Sequence, residues 1–372
     1  MLLSCAKDKQ VKKYAGGMRH EITPVTIIKY ASRFDISYFD RFKKITVNEA
    51  WPGSQDTLTY ILTGDKDIIE EYQDVSKVTL IRQPIHKVVC FSTTHLSFLE
   101  LLELEDRLCG FPTINYIYSE KIRDLALKGR IKDLGPANDI NFESLLSLDP
   151  DLVFAFSMGN ELSMVRKIQL AGIPLVMNAD YLENHPLGRA EWIKFIAAFF
   201  NKDQEADSIF RQIEGSYLDT KTKIAGEPSR PSVFTGVVYG DTWFMPGGKN
   251  YGTVFFKDAG GNYVWSENNS ESILQLSFES VYEKAGQADY WIGTATYNSL
   301  KEIEQADARY RDFKAFQSGN VFNYSAKISP SGGNAYFEMG YARPDIILKD
   351  LAKIFHPDEM RDHQFYFYQK LY

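Results

Sequence analysis

Two glutamates in matching settings are the residues of this chain best suited to a specific contact. Glu143 lies in Phe142-Glu143-Ser144-Leu145-Leu146, and Glu279 in Phe278-Glu279-Ser280-Val281-Tyr282. Each stretch reads as the first turns of a helix. Each leads to an aspartate and an apolar strand, Asp151-Leu152-Val153-Phe154 in one case and Asp289-Tyr290-Trp291-Ile292 in the other. A first-turn acid alone often does no more than favour the helix dipole, worth about 0.3–1 kcal/mol. The repeated setting implies two similar lobes, and one carboxylate on each suits docking onto two equivalent basic patches of a symmetric partner.

A second set of candidates is aromatic. Tyr116, Tyr118, Tyr181, Tyr239, Trp243, Phe244, Trp265 and Tyr297 fall near predicted strand ends or among turn residues, and open α/β sheets bind ligands just outside the carboxyl ends of their strands. Arg189 and Arg343 are the cations expected beside such a cleft, with Lys249 a third. Any one of these aromatics could instead be core or rim, and any one of the cations a solvated surface charge.

Catalytic signatures are missing. The sequence has no Gly-x-Gly-x-x-Gly, Walker loop, His-Glu-x-x-His or Gly-x-Ser-x-Gly. Its 6 histidines are scattered without metal-ligand spacing. Gly247-Gly248 and Gly260-Gly261 read as turns rather than phosphate cradles. Cys90 and Cys109 sit in apolar, strand-like surroundings and read as small buried thiols, with a disulfide between them left open. The reading is a protein that binds without chemistry and carries neither metal nor cofactor of its own.

The elements that must position these residues change character along the chain. Residues 24–83 alternate apolar and polar positions at period two around Pro52-Gly53 and Gly64-Asp65, which predicts an extension of antiparallel strands. Residues 84–186 alternate short apolar strands with helices, the pattern of a mostly parallel sheet covered on both faces. Residues 187–226 are strongly helical: Trp192, Phe195, Ile196 and Phe199 fall at helical spacing, and the pattern resumes after Asn201 and Asp203. Two helical pieces of about 35 residues would span roughly 50 Å, enough to bridge two lobes. Strand-helix alternation returns over residues 227–372.

The totals agree with a globular, two-lobed α/β protein. A chain of 372 residues with 44% hydrophobic and 24% charged residues can bury a sizeable core. A net charge of -7 argues against nucleic acid as partner. The densest apolar run, residues 193–200, is far shorter than the ~18 residues a membrane-spanning helix requires.

Several motifs together resemble the substrate-binding proteins of ABC importers for ferric siderophores, haem and cobalamin. The resemblance runs from residue 84 to about 358. It rests on Pro84-Ile85-His86-Lys87-Val88-Val89, Asn141-Phe142-Glu143, Leu148-Asp149-Pro150-Asp151-Leu152-Val153, Ala171-Gly172-Ile173-Pro174, Pro246-Gly247-Gly248, Asp258-Ala259-Gly260-Gly261-Asn262 and Arg343-Pro344-Asp345. It implies two α/β lobes joined by a long interlobe helix, a shallow cleft that moves little, and a monomer that delivers its ligand to a membrane permease. It also implies that Glu143 and Glu279 pair with arginines of that permease. The ligand class stays open among ferric siderophore, haem and cobalamin. The β-rich extension is extra to the family pattern and could cover a sheet edge or narrow the cleft. Metal-chelating and nitrogenase-like enzymes use similar lobes, but would need Cys or His ligands gathered at the cleft. Cys5, after Leu2-Leu3-Ser4, resembles the lipidated cysteine of bacterial lipoproteins. With residues 1–23 as leader and tether, the expectation is a lipid-anchored periplasmic or surface protein whose leader is truncated.

Overall fold

The computed structural model describes residues 21–137, 139–159 and 162–372. Cys5 lies outside them. The N-terminal extension forms β1 (Phe34–Tyr38), β2 (Lys43–Asn48), β3 (Thr57–Thr63), α1 (Lys66–Tyr72) and β4 (Val78–Arg82). The sheet order is β1-β2-β3-β4. β1, β2 and β3 pair antiparallel, as their alternation requires, but β3 and β4 pair parallel through the α1 crossover. The all-antiparallel expectation therefore fails at its last strand. Asp65 caps α1 through the amides of Asp67 and Ile68, a start signal that the period-two pattern around it obscures.

The first lobe comprises β5 (Val88–Cys90), α2 (Thr93–Leu101), β6 (Leu108–Phe111), α3 (Glu120–Leu127), β7 (Lys132–Asp133), α4 (Phe142–Leu148), β8 (Leu152–Ala155), α5 (Leu162–Leu170) and β9 (Leu175–Met177). Its strands order as β7-β6-β5-β8-β9 and all pair parallel. β5, β8 and β9 are buried throughout, as a sheet covered on both faces must be. Cys90 is buried and Cys109 half-buried, and both are free thiols.

Two helices then connect the lobes, α6 (Pro186–Phe199) and α7 (Asp203–Ala225). They fold back on each other instead of running end to end. Lys194 of α6 reaches Asp207 of α7 at 3.4 Å, and His185 at the start of α6 lies 6.3 Å from Tyr217 near the far end of α7. Asn201 makes the reversal with a left-handed φ of 56°. All 14 residues of α6 are buried, so it is the central wedge on which the lobes and the extension pack.

The second lobe comprises β10 (Ser232–Phe234), β11 (Val237–Tyr239), β12 (Thr242–Pro246), α8 (Tyr251–Asp258), β13 (Asn262–Tyr263), β14 (Ile273–Leu276), α9 (Phe278–Ala285), β15 (Tyr290–Ile292), α10 (Leu300–Ala306), α11 (Lys314–Gln317), β16 (Val321–Asn323), α12 (Ala335–Met339), α13 (Pro344–Phe355) and β17 (Gln369–Lys370). Its main sheet orders as β13-β10-β15-β16-β17, parallel but for the last strand. A separate antiparallel sheet, β11-β12-β14, follows from the C-terminal end of β10.

Buried carboxylates fasten the extension to the wedge. Glu191 of α6 is fully buried and accepts the backbone N–H groups of Lys29, Tyr30 and Ala31 at 2.7–2.9 Å. Glu183 accepts those of Ser32 and Arg33. Residues 25–33 are therefore not the strand their alternation suggests, because the amides of residues 29–33 turn inward to these acids. Tyr60 of β3 accepts the N–H of Met177 on edge strand β9, so the extension covers a sheet edge.

Candidate functional site

The lobes meet where the C-terminal ends of their strands converge, and the floor there is built around Arg189. Its side chain is 8% exposed. Its Nε donates to the carbonyl of Glu183 and its Nη2 to that of Tyr181. The guanidinium carbon sits 3.5 Å from the ring centre of Tyr251 and 4.3 Å from that of Tyr341. Two tyrosines of the second lobe thus pack against one cation of the central wedge from adjacent sides, their ring centres 5.7 Å apart and their planes inclined by 61°, and a desolvated contact of this kind is worth about 2 kcal/mol.

Asp180 completes the floor. It is buried beside Arg189 and bonded to Thr94, and burial pushes its carboxyl up to about 6 against those two favourable partners. Its Oδ2, the Nδ2 of Asn178 and both ring nitrogens of His95 are buried without hydrogen-bond partners among the described residues. Burial drives His95 down to about 3, so its imidazole is neutral.

The walls are apolar. In the β11-β12-β14 sheet the register places Tyr239, Phe244 and Ile273 on the outward face, opposite buried Trp243 and Met245. These three are 82%, 38% and 53% exposed, where an antiparallel sheet with one solvated face ordinarily shows polar residues. Glu271, just before Ile273, accepts from Asn184 at the start of the wedge, which sets this sheet against the lobe interface. From the first lobe, Tyr116 after β6 and Met158 after β8 are exposed at the strand ends, and Phe337 of α12 is exposed beside Tyr324 after β16.

Of the residues singled out in the sequence, Arg189, Tyr239 and Phe244 stand in this region, and Tyr116 stands at its edge. Trp243 does not face a ligand. It is fully buried in the core of the second lobe, donates to the Thr235 carbonyl, and packs on Phe234, Phe278, Trp291 and Phe313. Trp265 is likewise a core residue, 7% exposed beside Tyr263. Both were misassigned because a tryptophan near a turn has the same sequence signature whether it points in or out. Arg343 is engaged by both oxygens of Asp345 at the start of α13. Tyr297 lines a separate depression of about 340 Å³ with Glu279, Asp307 and Arg309. The floor residues Tyr251 and Tyr341 were missed, although they sit just beyond Pro246-Gly247-Gly248 and just before Arg343-Pro344. Gly247 and Gly248 are packing points: a Cβ on either would lie 2.4 Å or less from the carbonyl oxygen of Ser270 or Asn268.

The two glutamates occupy equivalent places. Asn141 and Ser277 cap α4 and α9 by accepting the amides of Ser144 and Ser280. In each helix the residue two beyond the glutamate, Leu145 or Val281, is fully buried, and the residue three beyond, Leu146 or Tyr282, is exposed. Each lobe therefore presents a first-turn carboxylate beside an exposed apolar side chain. The surroundings differ: Glu279 pairs with Arg309 at 3.2 Å, and Arg309 is held by Asp307 and stacked 4.0 Å over Phe278. Glu143 has no ion pair among the described residues.

Two α/β lobes on a shared helical wedge, with an aromatic floor and apolar walls between them, define a solute-binding protein. The chain belongs to the periplasmic binding protein family, whose model matches residues 88–327. It is 26% identical over 370 residues to an uncharacterized lipoprotein of Methanocaldococcus jannaschii, covering 92% of this chain and 85% of that one. A periplasmic haem-binding protein, RhuT of Roseiflexus sp. RS-1, superposes with a TM-score of 0.58 at 16% identity, covering 74% of this chain and 100% of that one. The triscatecholate siderophore-binding protein FeuA of Bacillus subtilis, complexed with ferri-bacillibactin, superposes with a TM-score of 0.57 at 16% identity, covering 75% and 95%. The molybdate-binding MolA of Haemophilus influenzae gives 0.57 at 18% identity, covering 77% and 91%. No described helix is long and apolar enough to cross a membrane, and no group of three His, Cys, Asp or Glu among the described residues could hold a metal ion.

Proposed function

We propose that this protein captures an iron complex, a ferric siderophore or haem, in the interlobe cleft and delivers it to an ABC importer permease without chemistry. The observation that carries the reading is Arg189 packed on Tyr251 and Tyr341 at the base of apolar walls. A buried, oriented cation suits the anionic edge of such a complex, and exposed aromatic faces suit its flat apolar bulk. The haem- and siderophore-binding structural neighbours support that choice. The lipoprotein relatives and the Leu2-Leu3-Ser4-Cys5 stretch support a protein tethered by lipid outside the cytoplasmic membrane.

Titration of the purified protein with haemin, a ferric tris-catecholate and hydroxocobalamin, followed by absorbance, tests this. The expected result is saturable binding of haemin or the ferric catecholate, weakened about tenfold or more by Arg189→Met. Trp243→Phe, a core change, should leave affinity unaltered. Binding of hydroxocobalamin alone, or of none of the three, would overturn the reading.

A further inference from the structure

The lobes also meet away from Arg189, where α12 of the second lobe and the loop before it press on residues 116–119 of the first. Glu338 of α12 is 1% exposed, and its two carboxylate oxygens accept the backbone N–H groups of Tyr118 and Ser119 at 2.6 and 2.8 Å. Ser119 is the N-cap of α3, so an acid from one lobe holds the chain that leads into a helix of the other. The loop before α12 closes on itself: the Ser329 N–H reaches the Gly333 carbonyl, and the Ser329 Oγ accepts the Gly333 N–H. It runs so close to the first lobe that a Cβ on Gly333 would lie 2.5 Å from the Ile117 carbonyl oxygen and 2.7 Å from that of Tyr116. In its own lobe α12 is fixed by Tyr336, which stacks on Tyr324 with ring centres 4.7 Å apart. Each side of the junction carries an exposed aromatic residue. Tyr116 precedes the clamped amides by two residues, and Phe337 directly precedes Glu338.

We propose that Tyr116 and Phe337 form a ligand contact shared between the lobes, and that Glu338 is the residue that positions it, clamping the amides beside Tyr116 to the helix that carries Phe337. The proposal rests on the cleft being the binding site, as argued above. A ligand face gains area on both rings only if their spacing is set before it arrives; otherwise binding must first order the two lobes, and affinity falls by that cost. Glu338 meets the need because its contact is made to backbone, which leaves both aromatic side chains free. Two N–H donors on two separate oxygens are the setting of a carboxylate. Burial pushes the acid up to about 7, with the two amides and Arg123 working against that and Glu100 adding to it, so the contact is best measured at pH 8.5, where the acid is ionised.

Hydrogen exchange of the whole, ligand-free protein and its affinity for haemin or the ferric tris-catecholate, whichever saturates, test this together at pH 8.5. In Glu338→Gln an NH₂ group faces one of the two amides, so residues 114–122 should exchange about fivefold or more faster, while residues 344–355 of α13 keep their protection. Gly333→Ala presses on the same junction from the neighbouring loop and should give the same pattern; it decides the matter if Glu338→Gln does not fold. Affinity should fall about fivefold or more in Glu338→Gln, and likewise in the double variant Tyr116→Ala with Phe337→Ala. Adding Glu338→Gln to that double variant should weaken binding no further, because a positioning residue has nothing left to position. A full further loss there would overturn the proposal, since it would make Glu338 a support of the fold alone. Unchanged exchange at residues 114–122, an equal loss of protection at residues 344–355, or wild-type affinity in the double aromatic variant would also overturn it. If neither probe binds the wild type, the cleft reading fails and the shared aromatic contact falls with it, while exchange alone judges the Glu338 clamp.

Discussion

Asp151 and Asp289 play the same part in the two lobes. Asp151 Oδ2 accepts the amides of His86 and Lys87, where β5 begins, and Asp289 Oδ2 accepts the amide and hydroxyl of Ser232, where β10 begins. Each aspartate opens the strand that lies beside the one it fastens, β8 beside β5 and β15 beside β10. The repeated Phe-Glu-Ser helix and the aspartate after it are one device used twice: the helix presents a carboxylate, and the aspartate locks the sheet beneath. Removing either should cost about 1–3 kcal/mol, the penalty for stranded backbone donors. Asp151→Ala and Asp289→Ala lie in separate lobes without shared partners, so their effects on urea unfolding should add to within about 0.5 kcal/mol. A double variant no less stable than either single one would show that the two locks are coupled.

The β-rich extension is expected to depend on Glu191. That carboxylate is fully buried, receives three backbone amides from residues 29–31, and sits 3.0 Å from the buried ammonium of Lys194. Glu191→Ala strands the three amides and takes from Lys194 its nearer carboxylate, leaving it Asp207 and the Ile27 carbonyl, and breaking a buried pair from one side costs about 3–5 kcal/mol. Glu191→Gln keeps an acceptor and should lose less. The check is the midpoint of denaturant unfolding. If Glu191→Ala matches wild type within 1 kcal/mol, the extension is held mainly by apolar contacts such as Phe34 on Trp192.

Local regularity made the lobes legible in the sequence. Strands such as Val88-Val89-Cys90, capped helices such as that after Asn141, and the paired Glu and Asp positions are set by neighbours a few residues away. The misses share a different cause. Residues 25–33 alternate like a strand, yet residues 29–33 are held as a loop by acids 150 or more residues away. Trp243 looks like a loop aromatic, yet fills the lobe core. The floor joins Arg189 to Tyr251 and Tyr341, residues brought together only once the lobes dock, and no local pattern marks such a meeting. The reversal of α7 along α6 was invisible for the same reason, since the helical period on either side of Asn201 is the same whether the chain continues or turns back.

The buried carboxyl of Asp180 should leave a signature in stability against pH. Its folded value is raised from 3.8 to about 6, so the native state holds the proton more tightly than the unfolded chain. The favourable contribution is therefore complete below about 3.8 and is lost as pH rises through about 6. Asp180→Asn removes the titration while keeping the shape. Relative to wild type, the variant should gain on the order of 2–3 kcal/mol between pH 4 and pH 8. Thermal unfolding midpoints of the two proteins at both ends of that range measure it, and a difference that does not change with pH would place the ionised form in a solvated setting.

The two exposed glutamates differ in how ready they are to meet a partner, and that difference can be measured. Glu143 is exposed beside Leu146 and has no ion pair among the described residues, whereas Glu279 is already engaged by Arg309. That engagement is a pair of exposed side chains, worth at most about 1 kcal/mol, so a permease arginine could displace Arg309 at small cost. On the docking reading, Glu143→Ala and Glu279→Ala should each reduce ligand uptake into vesicles carrying the cognate importer, and together reduce it about tenfold or more. Ligand affinity of the isolated protein should stay unchanged, because neither glutamate is among the groups that contact Arg189. Arg309→Ala frees the second carboxylate and should raise importer affinity by up to about fivefold, an effect that disappears when Glu279→Ala is present. Normal uptake by the double glutamate variant would remove the docking role from both residues. A gain from Arg309→Ala that persists without Glu279 would move the contact to Asp307, which shares the same guanidinium.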